Sequence, residues 1–293
     1  MATKQIINIT IDDKNLRADN VISRNFPMLS RSFIKKLAKE NRLKFNDQPV
    51  SCGYKLRQTG LLVLDYDMTQ LENIPELDLE TVYEDKHIIV INKPSGVITH
   101  SRGKYWDEPS VASSIRTKLH KAGITDMRAG IVHRLDRATS GLLVCAKDST
   151  TAAYLQQQFE KRLVEKTYFA IVPHVDLPKK GFIDKPIGRN LRKPSQFKVD
   201  PNGKEAQTEF EILEDTGSLL LLSLKPKTGR THQLRVHMAS LGVPIAGDNL
   251  YDSSLEAPRL MLHAAELTIN YPTDSHKKTF TAALPKEFKD YLT

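Results

Sequence analysis

The chain has 293 residues, 40% of them hydrophobic and 27% charged, with a formal net charge of +8. That is enough apolar material for a substantial core, and nothing in it is repetitive, collagen-like or of low complexity. No run approaches the ~18 consecutive apolar residues of a membrane span. The opening MATKQIINITIDDK lacks the apolar stretch of a secretory signal. The two cysteines, Cys52 and Cys145, are too few for a disulfide framework and have no metal-ligand spacing. A cytoplasmic protein with reduced thiols is therefore expected, with Cys145 in the core and no membrane partner.

The charge is uneven. Residues 1–60 contain twelve Lys or Arg against five Asp or Glu, nearly the whole excess. A basic end on a nearly neutral body points to a polyanionic partner. From Ser30 or Ser32 to about Glu40 the spacing of Phe33, Ile34 and Leu37 predicts a helix. Arg31, Lys35 and Lys39 form a basic stripe on another of its faces. LKFNDQPV and LLVLDY read as short strands, with Asn46-Asp47 as the turn after the first. One charged helix usually means only a solvated face. Joined to two short strands in a small basic unit, this segment resembles the S-four-type RNA-binding module, although the glycine common before the module's first strand is replaced by Glu40-Asn41-Arg42. The expected organisation is this module at 1–68, an acidic linker containing Pro75 at 69–80, and a large domain at 81–293.

In the large domain, TVYEDKHIIVINKP predicts two strands with a turn at Glu84-Asp85. SGLLVCA is a nearly continuous apolar run and hence a candidate central strand. Ser149 to Arg162 predicts a helix with Ala152, Leu155 and Phe159 on one face. KTYFAIV and SLLLLSLKP predict strands. TGRTHQLRVHMASLG predicts a helix with Thr231 near its N-cap, Gly242 at C′ and Pro244 blocking continuation. Strands in succession with few crossover helices favour an α+β domain with a mostly antiparallel mixed sheet and flanking helices.

Several chemistries find no motif. There is no phosphate-binding G-x-x-x-x-G-K-[ST] loop, no dinucleotide G-x-G-x-x-G, no G-x-S-x-G elbow and no H-E-x-x-H pair. Neither a nucleotide cofactor nor a metal is expected. Two stretches are dense in polar groups. HRLDRATSGLLVCAK, residues 133–147, places Asp136 between Arg134 and Arg137 at the mouth of the predicted strand. TGRTHQLRVH, residues 228–237, crowds Arg230, His232, Gln233, Arg235 and His237 into the first turns of a helix. Arginines at a helix N-terminus oppose its dipole, so a ligand phosphate or a carboxylate from elsewhere in the chain should match them. Each stretch alone also has a plain reading. Asp136 could cap a turn or pair with Arg134 on the surface, and His133, His237 and His263 could be satisfied core residues.

The combination resembles the RluA-type pseudouridine synthases. HRLDRATSGLLVCAK matches that family's signature. VINKPSGVITH (90–100), EKTYFAIV (165–172), LKPKTGRTHQLRVHMASLGVPIAGDNLY (224–251) and RLMLHAAEL (259–267) follow the family's other motifs in order, so the likeness covers about residues 78–290. Two features depart from it: Asp252 stands where a glycine usually follows the tyrosine of GDxxY, and SRGKYWDEPS after His100 is unusual. The resemblance implies isomerisation of a uridine in structured RNA, ribosomal or transfer RNA, by a monomer without cofactor. The N-glycosidic bond breaks, the uracil turns while held, and its fifth ring carbon bonds to the sugar and loses a proton. Asp136 would be the carboxylate beside the sugar, acting as nucleophile or base. Arg230 would be its cationic partner, favouring the ionised acid. Tyr168 would stack on the uracil and assist proton removal. Arg134 would replace the extruded uridine or hold its backbone, and His133, Arg137, Lys166, His232 and Gln233 would complete the RNA-binding set. Two rival classes remain open on the residues alone. Aspartate-based hydrolysis usually needs a second carboxylate or a metal. A non-catalytic RNA-binding assembly protein could share the fold.

Overall fold

The computed structural model describes residues 4–26, 29, 31–66, 76–100, 108–121, 123 and 130–293. The chain divides into two compact units, Met1–Leu77 with His100–Ser113, and Asp78–Thr99 with Ser114–Thr293.

In the first unit, β1 (Lys4–Ile9), β2 (Leu43–Phe45), β3 (Gln48–Pro49) and β4 (Gly60–Asp65) form an antiparallel sheet in the order β1-β4-β2-β3. Two helices, α1 (Ala18–Asn25) and α2 (Arg31–Lys39), complete it. Period-two alternation turns Ile7, Ile9, Leu62 and Leu64 inward, where they meet Val21, Ile22, Phe33, Ile34 and Leu37 from the helices. The same 3.6-residue geometry that buries Phe33, Ile34 and Leu37 leaves Arg31, Lys35 and Lys39 exposed. The expected turn is present: Asn46 and Asp47 both take positive φ, 46° and 63°, as a tight two-residue hairpin requires. Strand β1 and helix α1 are additions to the expected elements. Of the expected linker, residues 69–75 lie outside the described residues, and 76–79 have no regular structure.

The second unit is built on one long sheet. Its strands are β5 (Glu80–Glu84), β6 (Ile88–Lys93), β7 (Ser140–Ala146), β8 (Glu165–Pro173), β9 (Lys180–Asp184), β12 (Gln207–Asp215), β13 (Leu219–Pro226), β14 (Leu262–Asn270) and β15 (Lys277–Thr281). The order is β5-β6-β7-β14-β8-β13-β12-β9, with β15 added to β14. Only β7 and β14 pair in parallel; the rest of the sheet is antiparallel, as the sequence suggests. A separate hairpin joins β10 (Ile187–Arg189) to β11 (Phe197–Val199). The remaining helices are α3 (Val111–Lys121), α4 (Ser149–Glu160), α5 (Gln233–Ser240) and α6 (Lys286–Leu292). Helix α4 starts on Asp148, whose carboxylate accepts the Thr151 N–H at 2.8 Å.

All seven residues of β7 are buried, which is why SGLLVCA reads as a nearly continuous apolar run. Leu142, Val144 and Ala146 pack with Ile88, Val90, Leu155 and Leu267. A second core gathers β8 and β13 with Leu234 and Met238 of α5 and Phe288 of α6. Gly141 has φ 113°, and a Cβ there would lie 2.2 Å from the Ala264 carbonyl oxygen. The parallel β7–β14 approach therefore requires glycine at the point where the 133–139 segment enters the strand.

Candidate active site

The segment carrying Asp136 is held by the stretch that follows β6. Thr99 Oγ1 donates to the Leu135 carbonyl at 2.9 Å and accepts the Leu135 N–H at 3.2 Å. Ser95 Oγ donates to the Ala138 carbonyl at 2.7 Å, and the Gly96 N–H donates to the Arg137 carbonyl at 2.8 Å. Lys93 is fully buried, and its ammonium donates to the carbonyls of Pro94, Val97 and Arg137 at 2.9, 2.8 and 3.3 Å. Burial lowers the Lys93 pKa to about 7, against the opposing pull of Asp136. The KPSGVIT sequence is thus a brace that fixes the backbone on both sides of Asp136.

Asp136 opens into a cavity of about 530 Å³, within the range of small-molecule sites. Tyr168 of β8, Arg230, His232, Arg134 and Lys166 share its lining, so one cavity collects residues from three separate stretches of sequence. Among the described residues, Asp136 accepts no side-chain hydrogen bond, and the one basic nitrogen within 4.0 Å of its carboxylate is His232 Nε2, 3.9 Å from Oδ2. The carboxylate, 22% exposed, is available to a ligand.

The arginine partner expected for Asp136 is placed differently. Arg230 lies in the turn before α5, where its N–H donates to Gln233 Oε1 at 3.0 Å and its Nε donates to the Glu205 carbonyl at 2.9 Å. This anchoring turns the side chain away from a direct ion pair, although it still lines the cavity. The helix itself begins at Gln233 with His232 as its N-cap, one residue later than expected, because His232 takes a left-handed conformation, φ 57° and ψ 18°. Gly242 follows the helix at φ 78°, as expected of a C′ residue.

Gln233 is not available to RNA. Its Oε1 accepts from Thr228 Oγ1 and the Arg230 N–H, and its Nε2 donates to Gln207 O and Thr208 Oγ1. These four bonds use the full capacity of the amide, and they fasten the 228–230 turn to β12. His133 is also directed inward. Its Nε2 accepts the Val144 N–H at 3.0 Å, and its ring stacks on Phe159 at 4.4 Å. Burial lowers its pKa to about 3, so it is a neutral acceptor at physiological pH and not a cation for phosphate. His237 follows the satisfied-core reading, bonding Thr208 Oγ1 and the Lys185 carbonyl; His263 is buried and bonds Ser140 Oγ through Nδ1, but its Nε2 has no hydrogen-bond partner among the described residues. Arg134 and Arg137 are exposed, and Arg137 donates to the Gly96 carbonyl at 3.2 Å. Lys166 is half-buried in the cavity wall, and desolvation lowers its pKa.

Sequence reasoning missed the group that orients His232. Tyr251 Oη lies 2.9 Å from His232 Nδ1 and accepts the Phe197 N–H at 3.0 Å. Arg235 stacks over the Tyr251 ring at 5.1 Å and makes a bidentate pair with Asp248 at 2.7 and 2.6 Å. The carboxylate sought for the 228–237 arginines is therefore Asp248, and it matches Arg235. Burial lowers the His232 pKa, while Asp136 and Asp248 act in the other direction. Tyr168 is raised, first by burial and then by the charge of Asp136, so its phenol keeps its proton. Arg162, just after α4, also lines the cavity and pairs with Glu205 at 3.0 Å. Asp252, where the family likeness calls for glycine, takes φ 57°, a region aspartate tolerates better than most residues. The unusual stretch at 101–107 lies outside the described residues.

A cavity lined mostly by basic side chains, with the carboxylates of Asp136 and Glu160 among them, mounted on a mostly antiparallel sheet, fits an enzyme acting on an anionic substrate. Residues 87–240 match the family described as RNA pseudouridylate synthase, half of the chain. The chain is 38% identical to the ribosomal large subunit pseudouridine synthase D of Borreliella burgdorferi over 303 residues, covering 97% of this chain and 91% of that one. It is 30% identical to the ribosomal large subunit pseudouridine synthase C of Vibrio parahaemolyticus, covering 98% and 95%. The solved structure of human RNA pseudouridylate synthase domain containing 4 superposes with a TM-score of 0.59 at 28% identity, covering 73% of this chain and 91% of that one. The chain belongs to the RNA pseudouridylate synthase family, in its RluA-type branch, and is an RNA-modifying isomerase.

Proposed function

We propose that the protein isomerises uridine to pseudouridine in large-subunit ribosomal RNA, with Asp136 as the group that acts on the sugar. The observation that carries this is the Asp136 carboxylate, open to the cavity, free of side-chain hydrogen bonds and 3.9 Å from His232. A uridine within structured RNA is out of reach, so it must be extruded at a cost of a few kcal/mol. Once inside, its uracil ring packs on Tyr168. The neutral phenol offers a hydrogen bond and an apolar face but no base, so proton loss from the fifth ring carbon falls to another acceptor. Arg134, Lys166 and Arg230 bring positive charge to the cavity wall for the flanking phosphates. His232, held by Tyr251, presents its Nε2 side to Asp136 and steadies the carboxylate.

The choice of ribosomal RNA rests on the names of the relatives. The first unit serves as the RNA-binding module, supported by the exposed stripe of Arg31, Lys35 and Lys39. The proposed active form is a monomer, and the proposed place of action is the cytoplasm. Mapping pseudouridines in the source organism with and without this gene tests the assignment. Loss of pseudouridine from large-subunit ribosomal RNA is expected. An unchanged ribosomal map with losses in transfer RNA would overturn the substrate choice.

A further inference from the structure

A second cavity, of about 480 Å³, adjoins the first and shares Gly229, Arg230 and Thr231 with it. Its other walls are the β10–β11 hairpin and the 202–204 turn, which bring Arg189, Phe197, Asn202 and Lys204 to its lining. The lining contains three cationic side chains and no carboxylate. Arg189 and Lys204 are both exposed. Arg189 is turned back onto the Pro194 carbonyl by two long bonds of 3.3 Å. Among the described residues, no ion pair or side-chain hydrogen bond engages the Lys204 ammonium.

Gly229 divides the two cavities, and nothing in the protein demands a glycine there. Its φ lies outside the left-handed range, and a Cβ would meet no atom within 4 Å. By contrast, a Cβ at Gly203 would lie 2.4 Å from the Ile187 backbone, so that glycine is required by packing. A residue that is small for no internal reason, set between two basic cavities, leaves a passage for a chain that enters both. The second cavity is also wired to Asp136. The Phe197 N–H donates to Tyr251 Oη, Tyr251 holds His232 Nδ1, and His232 Nε2 faces Asp136. The Phe197 ring meets the His232 ring edge-on at 5.7 Å.

We propose that this second cavity is the subsite for the nucleotide adjoining the target uridine in the RNA strand. Arg189 and Lys204 take the phosphate between the two nucleotides and its neighbour, the base lies against Phe197, and the strand passes over Gly229. This deepens the isomerase reading and rests on it. The subsite selects single-stranded or unstacked RNA, because two consecutive nucleotides must leave the helix together.

The test uses the full chain and large-subunit ribosomal RNA transcribed with uridine tritiated at the fifth carbon. The double variant Arg189→Glu/Lys204→Glu should raise the RNA concentration for half-maximal tritium release at least tenfold and leave the melting temperature unchanged. The slope of log affinity against log salt should fall by about 1.4, the value for two phosphate contacts on a single strand. Gly229→Val should slow release at least tenfold with an unchanged melting temperature. The dinucleotide UpU should inhibit the parent at least tenfold better than uridine monophosphate, and this advantage should vanish in the double variant. A parent that releases tritium while both variants match it in rate and salt slope would overturn the subsite. A parent that releases none would overturn the isomerase reading instead.

Discussion

Lys93 offers the sharpest test of how the Asp136 loop is held. Its ammonium supplies all three donors to three carbonyls, one on the Asp136 segment and two on the brace. Replacing it with methionine keeps an unbranched apolar side chain in a fully buried position and removes all three bonds. At about 1 kcal/mol per bond the three bonds contribute about 3 kcal/mol, which the cost of burying the charge opposes and methionine is spared. The pH dependence follows from the lysine itself. Burial lowers the folded pKa from 10.5 to about 7, so the unfolded chain binds the extra proton between those values. The cost of burying the charge is therefore full below pH 7 and falls away as pH rises toward 10.5. The stability gap between parent and Lys93→Met should widen above pH 7, by up to about 1.4 kcal/mol per pH unit. Urea unfolding followed by circular dichroism at several pH values measures both quantities, and tritium release reports whether Asp136 has shifted. A variant within about 0.5 kcal/mol of the parent at every pH, with unchanged turnover, would refute the bracing argument.

Gly141→Ala should lose about 3 kcal/mol or more, because φ 113° and a Cβ 2.2 Å from the Ala264 carbonyl cannot both be relieved. Thermal unfolding checks this, and a melting temperature within a few degrees of the parent would show that β7 and β14 can separate without cost. Replacing Arg31, Lys35 and Lys39 together with alanine should weaken RNA binding and reduce the salt slope by about 2–3 if all three meet phosphate. An unchanged slope, measured by filter binding, would place the main RNA surface in the second unit.

Much of the fold is legible in the sequence because periodicity reports burial. The β7 run, the α2 face and the Asn46-Asp47 turn are all local patterns with local causes. The missed elements have weaker signals. β1 begins with the polar pair Lys4-Gln5 and sets two isoleucines side by side, and α1 is short and starts without a side-chain cap. At the site, the family likeness gathers Asp136, Tyr168 and Arg230, and the structure places them around one cavity. It does not convey direction. Gln233 and His133 look like polar ligands in sequence, yet one fastens a turn and the other accepts a strand N–H. Those fates depend on Thr208, Gln207 and Val144, which are distant in the chain or carry no polar side chain. The start of α5 shifted for a similar reason: a left-handed histidine at the cap has no sequence signature, and Tyr251, which holds it, comes from a loop 19 residues further on.

The most direct measurement compares Asp136→Asn with the parent for tritium release from ribosomal RNA labelled at the fifth uridine carbon. The substitution keeps the shape of the side chain and removes only its charge. Release at least a thousandfold slower, with RNA affinity and melting temperature unchanged, is the expected result. Release at the parent's rate would contradict the account, because the carboxylate would then have no part in breaking the glycosidic bond.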